Sequence, residues 1–520
     1  MSVLSGMPIP GVAEVATLSL SAIRNGFVLL VTYLVTIVVY RLWFHPLAKY
    51  PGPLLARITD WNTAWRAWKG DRYLELYYAH QKYGPVVRVA PNMLSFNTAT
   101  ALKTIYGHTA NAKNIQKGQF YTAFPAVKGV HNTHNCISKM EHGFKRRVLS
   151  VAFSDNALKS MEGAVIDAVN TLVDGVRKDG KNGVDMGERF SWLTFDVMAE
   201  LCFGKSFGML TDETQRFVTD LISKATHNHY ICGNYLPIRF LNLGRFLFPT
   251  IARDRWRFIE HSRSCANERM ALDQAAKKDF FYYLLNAKDS ETGKGFSTKE
   301  LWGEANVLMI AGSDTTATAL SSTLYYLSRN PSALDKLRHE IRSTFNSPDE
   351  IVTGKDLADC HYLKACVDEG MRMAPPVSGL LPREALASFE VDGHVVPEGT
   401  VVGVPIYTIH HNPDYYPEPY QYRPERWLDD DQEQIEKAQS AFNPFSIGAR
   451  GCIGKSVAYM ELRLSIAKLV WEFEIRHKAT EGKAELWDEG FAVMEGEYRL
   501  LDHFTCKKEG PVIEFTRREM

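Results

Sequence analysis

One helix must span whatever this chain folds into. Ser297 and Glu300 form a Ser-x-x-Glu capping box. The helical pattern that follows runs without a breaker to Asn330, where Pro331 stops it. At a rise of ~1.5 Å per residue this is roughly 50 Å of helix, about three times the mean length. The remaining elements have to be organised around such a rod. Its outer turns are apolar at Ala305, Leu308, Met309, Leu320 and Tyr326. Its middle reads Ala311-Gly312-Ser313-Asp314-Thr315-Thr316. A mid-helix glycine costs ~1 kcal/mol relative to alanine. Two readings account for it: a tight helix crossing with back-bonded threonines, or a flat ligand lying against the small residues.

A second constraint lies in residues 442–454, Phe-Asn-Pro-Phe-Ser-Ile-Gly-Ala-Arg-Gly-Cys-Ile-Gly. A metal-binding thiolate needs positive potential and backbone N–H donors to lower its pKa. Its backbone must turn sharply, which glycine permits. Gly448, Gly451 and Gly454 supply that freedom, and Arg450 supplies a cation that could pair a carboxylate. Phe445 can shield the sulfur. The pattern of Lys455–Glu472 predicts a helix whose amino-terminal dipole faces Cys452. The chain has eight cysteines, scattered and without zinc-type spacing; the other seven read as small core residues.

Phe445, Gly448, Arg450, Cys452 and Gly454 match every fixed position of F-x-x-G-x-R-x-C-x-G, so the chain resembles the cytochrome P450 family. The resemblance covers essentially its whole length. It implies haem b with Cys452 as the axial iron ligand, and a mostly α fold with small β-sheets. Asp314 and Thr315 resemble the family's oxygen-activating pair. Glu369 and Arg372 resemble its E-x-x-R; i,i+3 spacing puts both charges on one helix face. Arg426, in Tyr422-Arg423-Pro424-Glu425-Arg426-Trp427, would complete a buried structural triad. His142, Arg146 and Phe153 resemble the W-x-x-x-R element, with His142 where Trp is commoner. Arg383 resembles a second arginine for the haem carboxylates. Strings such as residues 303–308 and 410–416 are similar to filamentous-fungal members that serve secondary metabolism.

The resemblance implies a monooxygenase that inserts one atom of O2 into a lipophilic small molecule. Competing readings are a hydroxylase of an aromatic acid such as benzoate, a haem-thiolate isomerase or dehydratase, and a non-enzymatic haem sensor. Intact Asp314-Thr315 argues against the isomerase. Apolar segments placed by analogy with substrate-contacting regions argue against the sensor: Phe120, Tyr121, Phe124, Val127, Leu308, Val377, Leu380, Phe491, Val493 and Met494. Electrons would come from a separate NADPH-cytochrome P450 reductase, docking on Lys145, Arg146, Arg147 and Lys455.

Residues 22–44 are apolar for about the ~20 residues that cross a bilayer as a helix, with Tyr40 and Trp43 at the headgroup level. Arg41, His45, Lys49 and Arg57 follow and only Arg24 precedes, so the positive-inside rule puts the body in the cytosol. The run ends in Arg-Leu-Trp-Phe-His-Pro, a poor cleavage site for a signal peptide. The expected organisation is a lumenal segment 1–21, an anchor 22–44, a proline-rich hinge 45–54 and one domain 55–520, single-pass in the endoplasmic reticulum membrane and in contact with its lipid. Lys+Arg and Asp+Glu are both 60, and this balance does not fit a nucleic-acid partner. Within the domain, helical spacing marks 155–178, 190–203 and 256–285. Strand-like stretches lie near 85–97, 388–405 and 491–515.

Overall fold

The computed structural model describes residues 12–108, 110–272, 277–288, 293–478 and 494–518. Sixteen of its elements build the site and the anchor. Along the chain these are α1 (Val12–Val39), β1 (Val86–Ala90), β2 (Met93–Phe96), β3 (Ile115–Lys117), α2 (Lys139–Ala152) and α3 (Asp155–Asp179). Next come α4 (Met186–Phe203), α5 (Phe217–Asn234), α6 (Pro249–Ala271), α7 (Thr298–Arg329) and α8 (His361–Met373). The carboxy-terminal part supplies β4 (Arg383–Ala385), β5 (Val401–Gly403), α9 (Lys455–Glu472), β6 (Leu500–His503) and β7 (Thr505–Lys508). The fold is mostly α with small sheets, as the sequence implies.

The spanning helix is α7, 32 residues long. Its capping box is formed on both sides: Ser297 accepts from the Glu300 backbone, and Glu300 Oε2 accepts from Ser297 N at 2.9 Å. It ends at Asn330, whose φ of −123° is the extended geometry expected before proline. α7 is buried for most of its length, against α4 on one side and α8 on another. The α4 crossing is very close. A Cβ on Gly312 would lie 2.2 Å from Met198 Sδ. Met198 is seated on this glycine, and its flexible thioether would have to shift to admit a Cβ.

α3 shows how the bundle is built. Ser154 caps its start, and Leu158, Met161, Val165, Val169, Leu172 and Val176 recur every three or four residues on the buried face. The stretch 256–285 is not one helix: α6 ends at Ala271, and a separate short helix, Phe280–Asn286, begins with Asp279 accepting from Tyr282 N at 2.7 Å. That carboxylate also pairs with Arg269 at 2.6 Å, both groups buried, so a tight ion pair interrupts what periodicity alone joins.

The five-stranded sheet has the order β1-β2-β5-β4-β3, antiparallel except for β2 with β5. The β6–β7 hairpin stands apart. Phe504 at its tip has φ +78°, a conformation costly for a bulky side chain.

Ser19–Phe44 is one helical stretch of 26 residues with mean hydropathy 2.0, none of it buried in protein. The segment after it is clamped rather than loose. Arg88 donates to the Arg41 carbonyl at 2.7 Å, and Arg57 to the Ala48 carbonyl at 3.3 Å. A Cβ on Gly52 would lie 2.1 Å from the Arg88 carbonyl oxygen.

Candidate active site

The cysteine loop is shaped by two residues in the left-handed region, Ser446 (φ 54°) and Gly448 (φ 73°). Gly448 is obligatory, because a Cβ there would lie 2.0 Å from the Tyr106 carbonyl oxygen. Gly451 and Gly454 have φ of −61° and −83°, so they do not serve the turn in the way the sequence suggests. Instead the Gly451 carbonyl accepts from Arg146 at 2.6 Å. The Cys452 N–H donates to the Phe445 carbonyl at 2.8 Å, closing the loop two residues before the α9 N-cap, Gly454. The Cys452 side chain opens into an internal cavity while protein surrounds it on the other sides. Burial pushes its thiol up, against the opposing pull of a Gly454 backbone hydrogen bond, Arg146 and Lys455.

That cavity, of about 300 Å³, lies between the cysteine loop and α7. Leu308, Ala311, Gly312 and Thr315 face it from α7, and Phe445 and Cys452 from the loop. The Thr315 hydroxyl donates to the Ala311 carbonyl at 2.6 Å, which leaves its oxygen able to accept from the cavity. Asp314 does not line the space. It turns to Lys508 on β7 at 3.4 Å, with Oδ2 unpartnered. Thr316 also reaches the wall, although it is rotated ~100° from Thr315.

A set of cations, Lys117 and Arg383 buried and Arg146 and Arg450 half-buried, surrounds the cavity. Arg450 donates to the carbonyls of Cys136 and Ile137 at 2.7 and 2.9 Å, and burial lowers its pKa to about 10. Lys117 is buried on β3 and donates to the His134 carbonyl; burial and then Arg383 push its ammonium well below the usual lysine range. Arg383 lies just behind the wall, 4.7 Å over the Tyr106 ring, with the Pro382 carbonyl at 3.2 Å. Among the described residues, none of Lys117, Arg146, Arg383 and Arg450 is paired with a carboxylate. His142 lines the same space and is kept neutral, its pKa lowered to about 3 by burial and then by Arg450, Lys117, Arg146 and Arg383. Four desolvated cations without an anion make an environment that carboxylates would stabilise. With the cavity-facing sulfur of Cys452, this donor set fits a flat metal-centred group carrying acidic side arms, which is the chemistry of haem b.

The structure thus brings Thr315, His142, Arg146, Phe445, Arg450, Cys452 and Gly454 to one cavity, with Asp314 and Arg383 behind its walls. Of the expected substrate-facing residues, Phe124, Leu308 and Val377 line it. Phe120 is buried elsewhere, and a Cβ on Gly233 would lie 2.6 Å from its ring. Leu380 packs with Val87 and Val89, and Met494 is at the surface. Phe491 and Val493 lie outside the described residues. Among the described carboxy-terminal residues, Phe504 and Thr505 at the strained hairpin tip line the cavity. Lys145 requires a correction as a docking residue. Its side chain is 0% exposed and pairs with Glu300 at 3.1 Å and Glu304 at 3.5 Å. Sequence reasoning also missed Glu304, Lys117 and His134, all of which line the cavity. Glu304 had one available signal: an acid four residues before Leu308, on the apolar face of the long helix.

The chain matches the family model described as Cytochrome P450 over residues 51–501. It is 39% identical to cytochrome P450 monooxygenase poxM of Penicillium oxalicum over 517 residues, covering 97% of this chain and 96% of that one. It is 38% identical to cytochrome P450 monooxygenase atnE of Emericella nidulans, covering 92% and 94% of the two chains. Among solved structures, the cytochrome P450DA heme domain superposes with a TM-score of 0.70 at 19% identity, over 86% of this chain and 93% of that one, which speaks to the fold alone.

Proposed function

The chain belongs to the cytochrome P450 family, and on that premise we propose that it is a membrane-anchored haem monooxygenase acting on a lipophilic small molecule of fungal secondary metabolism. The observation that carries this reading is a cysteine sulfur opening into a largely apolar cavity opposite the Thr315 hydroxyl. Haem b held through Cys452 would supply the activation of O2, with thiolate donation favouring O–O cleavage.

The protein's own part is binding, insulation and proton handling. Cys452 is the proposed metal ligand. Arg146, Arg450, Lys117 and Arg383 would hold the acidic side arms, with His142 as a neutral donor beside them. Phe445 covers the sulfur side. Leu308, Val377, Phe124 and Phe504 exclude water and take up the substrate. Thr315 would hold a water by accepting its hydrogen bond, so that a proton is in place where oxygen is bound. Asp314, tethered by Lys508, would keep a carboxylate behind it for proton exchange with solvent.

Electrons would come from NADPH-cytochrome P450 reductase, drawn by cationic groups outside the cysteine loop; Arg147 and Lys455 are exposed there. The apolar helix and the cations after it support an anchor in the endoplasmic reticulum membrane with the domain in the cytosol. Exposed Trp61, Trp65, Phe240 and Phe246 would add lipid contact.

The test is the spectrum of the reduced carbon monoxide complex, with NADPH- and reductase-dependent O2 consumption. The wild type should show the thiolate-type spectrum and Cys452→Ala should not. A variant that keeps it refutes the assignment of Cys452.

A further inference from the structure

Glu304 is out of place in an apolar cavity. Its side chain is 0% exposed and lines the space. Oε1 is used, accepting from Thr133 N at 2.9 Å and lying 3.5 Å from Lys145 Nζ. Oε2 has no partner. Of the neighbouring polar groups, Asn132 donates to the Gly303 carbonyl at 3.3 Å and Asn306 to Ser262 Oγ at 3.0 Å, while the Thr133 hydroxyl has no hydrogen-bond partner among the described residues. A buried carboxyl oxygen without a hydrogen bond is costly; Glu304 lines the cavity, so a bound molecule can reach this oxygen, in competition with the Thr133 hydroxyl beside it.

We propose that Glu304 is the polar anchor of the substrate site, where it binds a hydroxyl group on an otherwise apolar substrate. This rests on the haem monooxygenase reading and extends it to the substrate's chemistry.

Two observations favour a hydroxyl. Lys145 already lies against Glu304 and is itself shared with Glu300 at 3.1 Å, so a second ammonium would be placed beside a buried cation. Burial raises the Glu304 carboxyl to about 7 against the pull of Lys145, so both protonation states are accessible at neutral pH. A hydroxyl satisfies both through one atom, donating to the carboxylate and accepting from the acid; an ammonium serves only the first and a ketone only the second.

Placement on α7 adds a length. Glu304, Leu308, Gly312 and Thr315 all face the cavity, on successive turns of one helix face. Eight residues separate Glu304 from Gly312, ~12 Å along the axis. A substrate anchored at Glu304 would present to the Gly312–Thr315 level a carbon well removed from its hydroxyl, and attack next to the hydroxyl would be disfavoured.

The experiment compares 1-decanol with methyl decyl ether, which differ in the donor. Each is titrated into the haem-loaded full-length protein in lipid nanodiscs, and binding is read from the haem absorbance shift. The proteins are wild type, Glu304→Leu, and the double variant Lys145→Met with Glu304→Leu. Partition into lipid cancels in the ratio between proteins. The double variant guards against misfolding, because it removes both partners of the buried pair. Wild type should prefer the alcohol by about tenfold or more, and both variants should lose that preference while binding the ether at least as well. Oxidation of decanol should move from far carbons in the wild type to a spread along the chain in the variants. An alcohol preference that survives in a folded variant, or is missing in the wild type, overturns the proposal. A wild type without a thiolate-type carbon monoxide spectrum would instead overturn the haem reading beneath it.

Discussion

Two arginine-rich clusters in this protein differ in whether they are closed. The first is built on Glu369. Arg372 donates to both its oxygens at 2.9 Å, Arg426 Nε to Oε1 at 2.9 Å, and Trp427 Nε1 to Oε2 at 3.1 Å. Arg372 also reaches the His410 carbonyl at 2.9 Å. The carboxyl is held below its usual range by the two arginines, even though burial opposes this. The second cluster holds Lys117, Arg146, Arg383 and Arg450, with protein carbonyls as acceptors and no carboxylate among the described residues. A closed cluster contributes to the fold by itself. An open one is a net cost until an anion arrives. The contrast separates residues that keep the chain folded from residues that wait for a ligand.

The largest effect belongs to the closed cluster. Glu369→Ala leaves two buried guanidinium groups facing one another. Breaking a buried pair costs ~3–5 kcal/mol, a large share of a typical domain's stability. Soluble, haem-loaded yield should collapse. Normal yield and an unchanged melting temperature would mean that the triad is not a stability element.

Next comes a comparison within α7. Thr323 and Thr315 both back-bond four residues up the helix, at 2.7 and 2.6 Å. Thr323 is buried against Gly370 of α8, whereas Thr315 opens into the cavity. Thr315→Ala should still bind haem and consume NADPH with the reductase. Product per NADPH should fall on the order of 10²-fold, the low end for a positioned proton donor, and hydrogen peroxide should rise. Thr323→Ala should alter stability and leave coupling intact. Equal coupling in all three proteins would remove Thr315 from the proton path. Thr316 is a poorer control, because it too meets the cavity wall.

What was legible in the sequence follows the same division. The cysteine loop, Glu369–Arg372 and the capping box of α7 are local patterns, so residue type at fixed offsets specifies them. Lys145 misled because its burial depends on Glu300, 155 positions away. Gly312 was legible as a glycine that something needs, but not as the seat of Met198, which comes from another helix. Met494, expected by analogy to face the substrate, is at the surface, whereas Phe504 at a hairpin tip lines the cavity, since alternation marks strands and not which turn enters a cavity.

A smaller effect tests the open cluster directly. Arg146 donates to the Gly451 carbonyl beside Cys452, and its guanidinium is desolvated. Arg146→Met removes one charge-assisted partner, worth ~1.5–3 kcal/mol. Haem should then pass to apomyoglobin roughly ten- to hundredfold faster, with little loss in the protein's own melting temperature. A loss of stability on the Glu369 scale, with unchanged transfer, would make the open cluster structural after all.

The smallest effect is a titration. His142 has a pKa of about 3 in the folded protein, against an ordinary value of 6.5, because burial and four cations disfavour its protonated form. As pH falls below 6.5 the unfolded chain takes up this proton first, so His142 withdraws stability from the fold down to about pH 3. The slope is at most ~1.4 kcal/mol per pH unit, and His142→Gln should flatten the acid limb of the stability curve by that amount or less. This holds while the cations are unbalanced. Carboxylates bound among Arg146, Arg450 and Lys117 would offset the repulsion and raise the His142 pKa, so the window would narrow. The measurement is proton NMR of the His142 ring in the diamagnetic reduced carbon monoxide form, assigned by its loss in His142→Gln. A midpoint well above 3 means that anions have closed the cluster. A ring that stays unprotonated to the acid limit of folding means that the four cations keep their charge uncompensated, and that the haem carboxylates lie elsewhere.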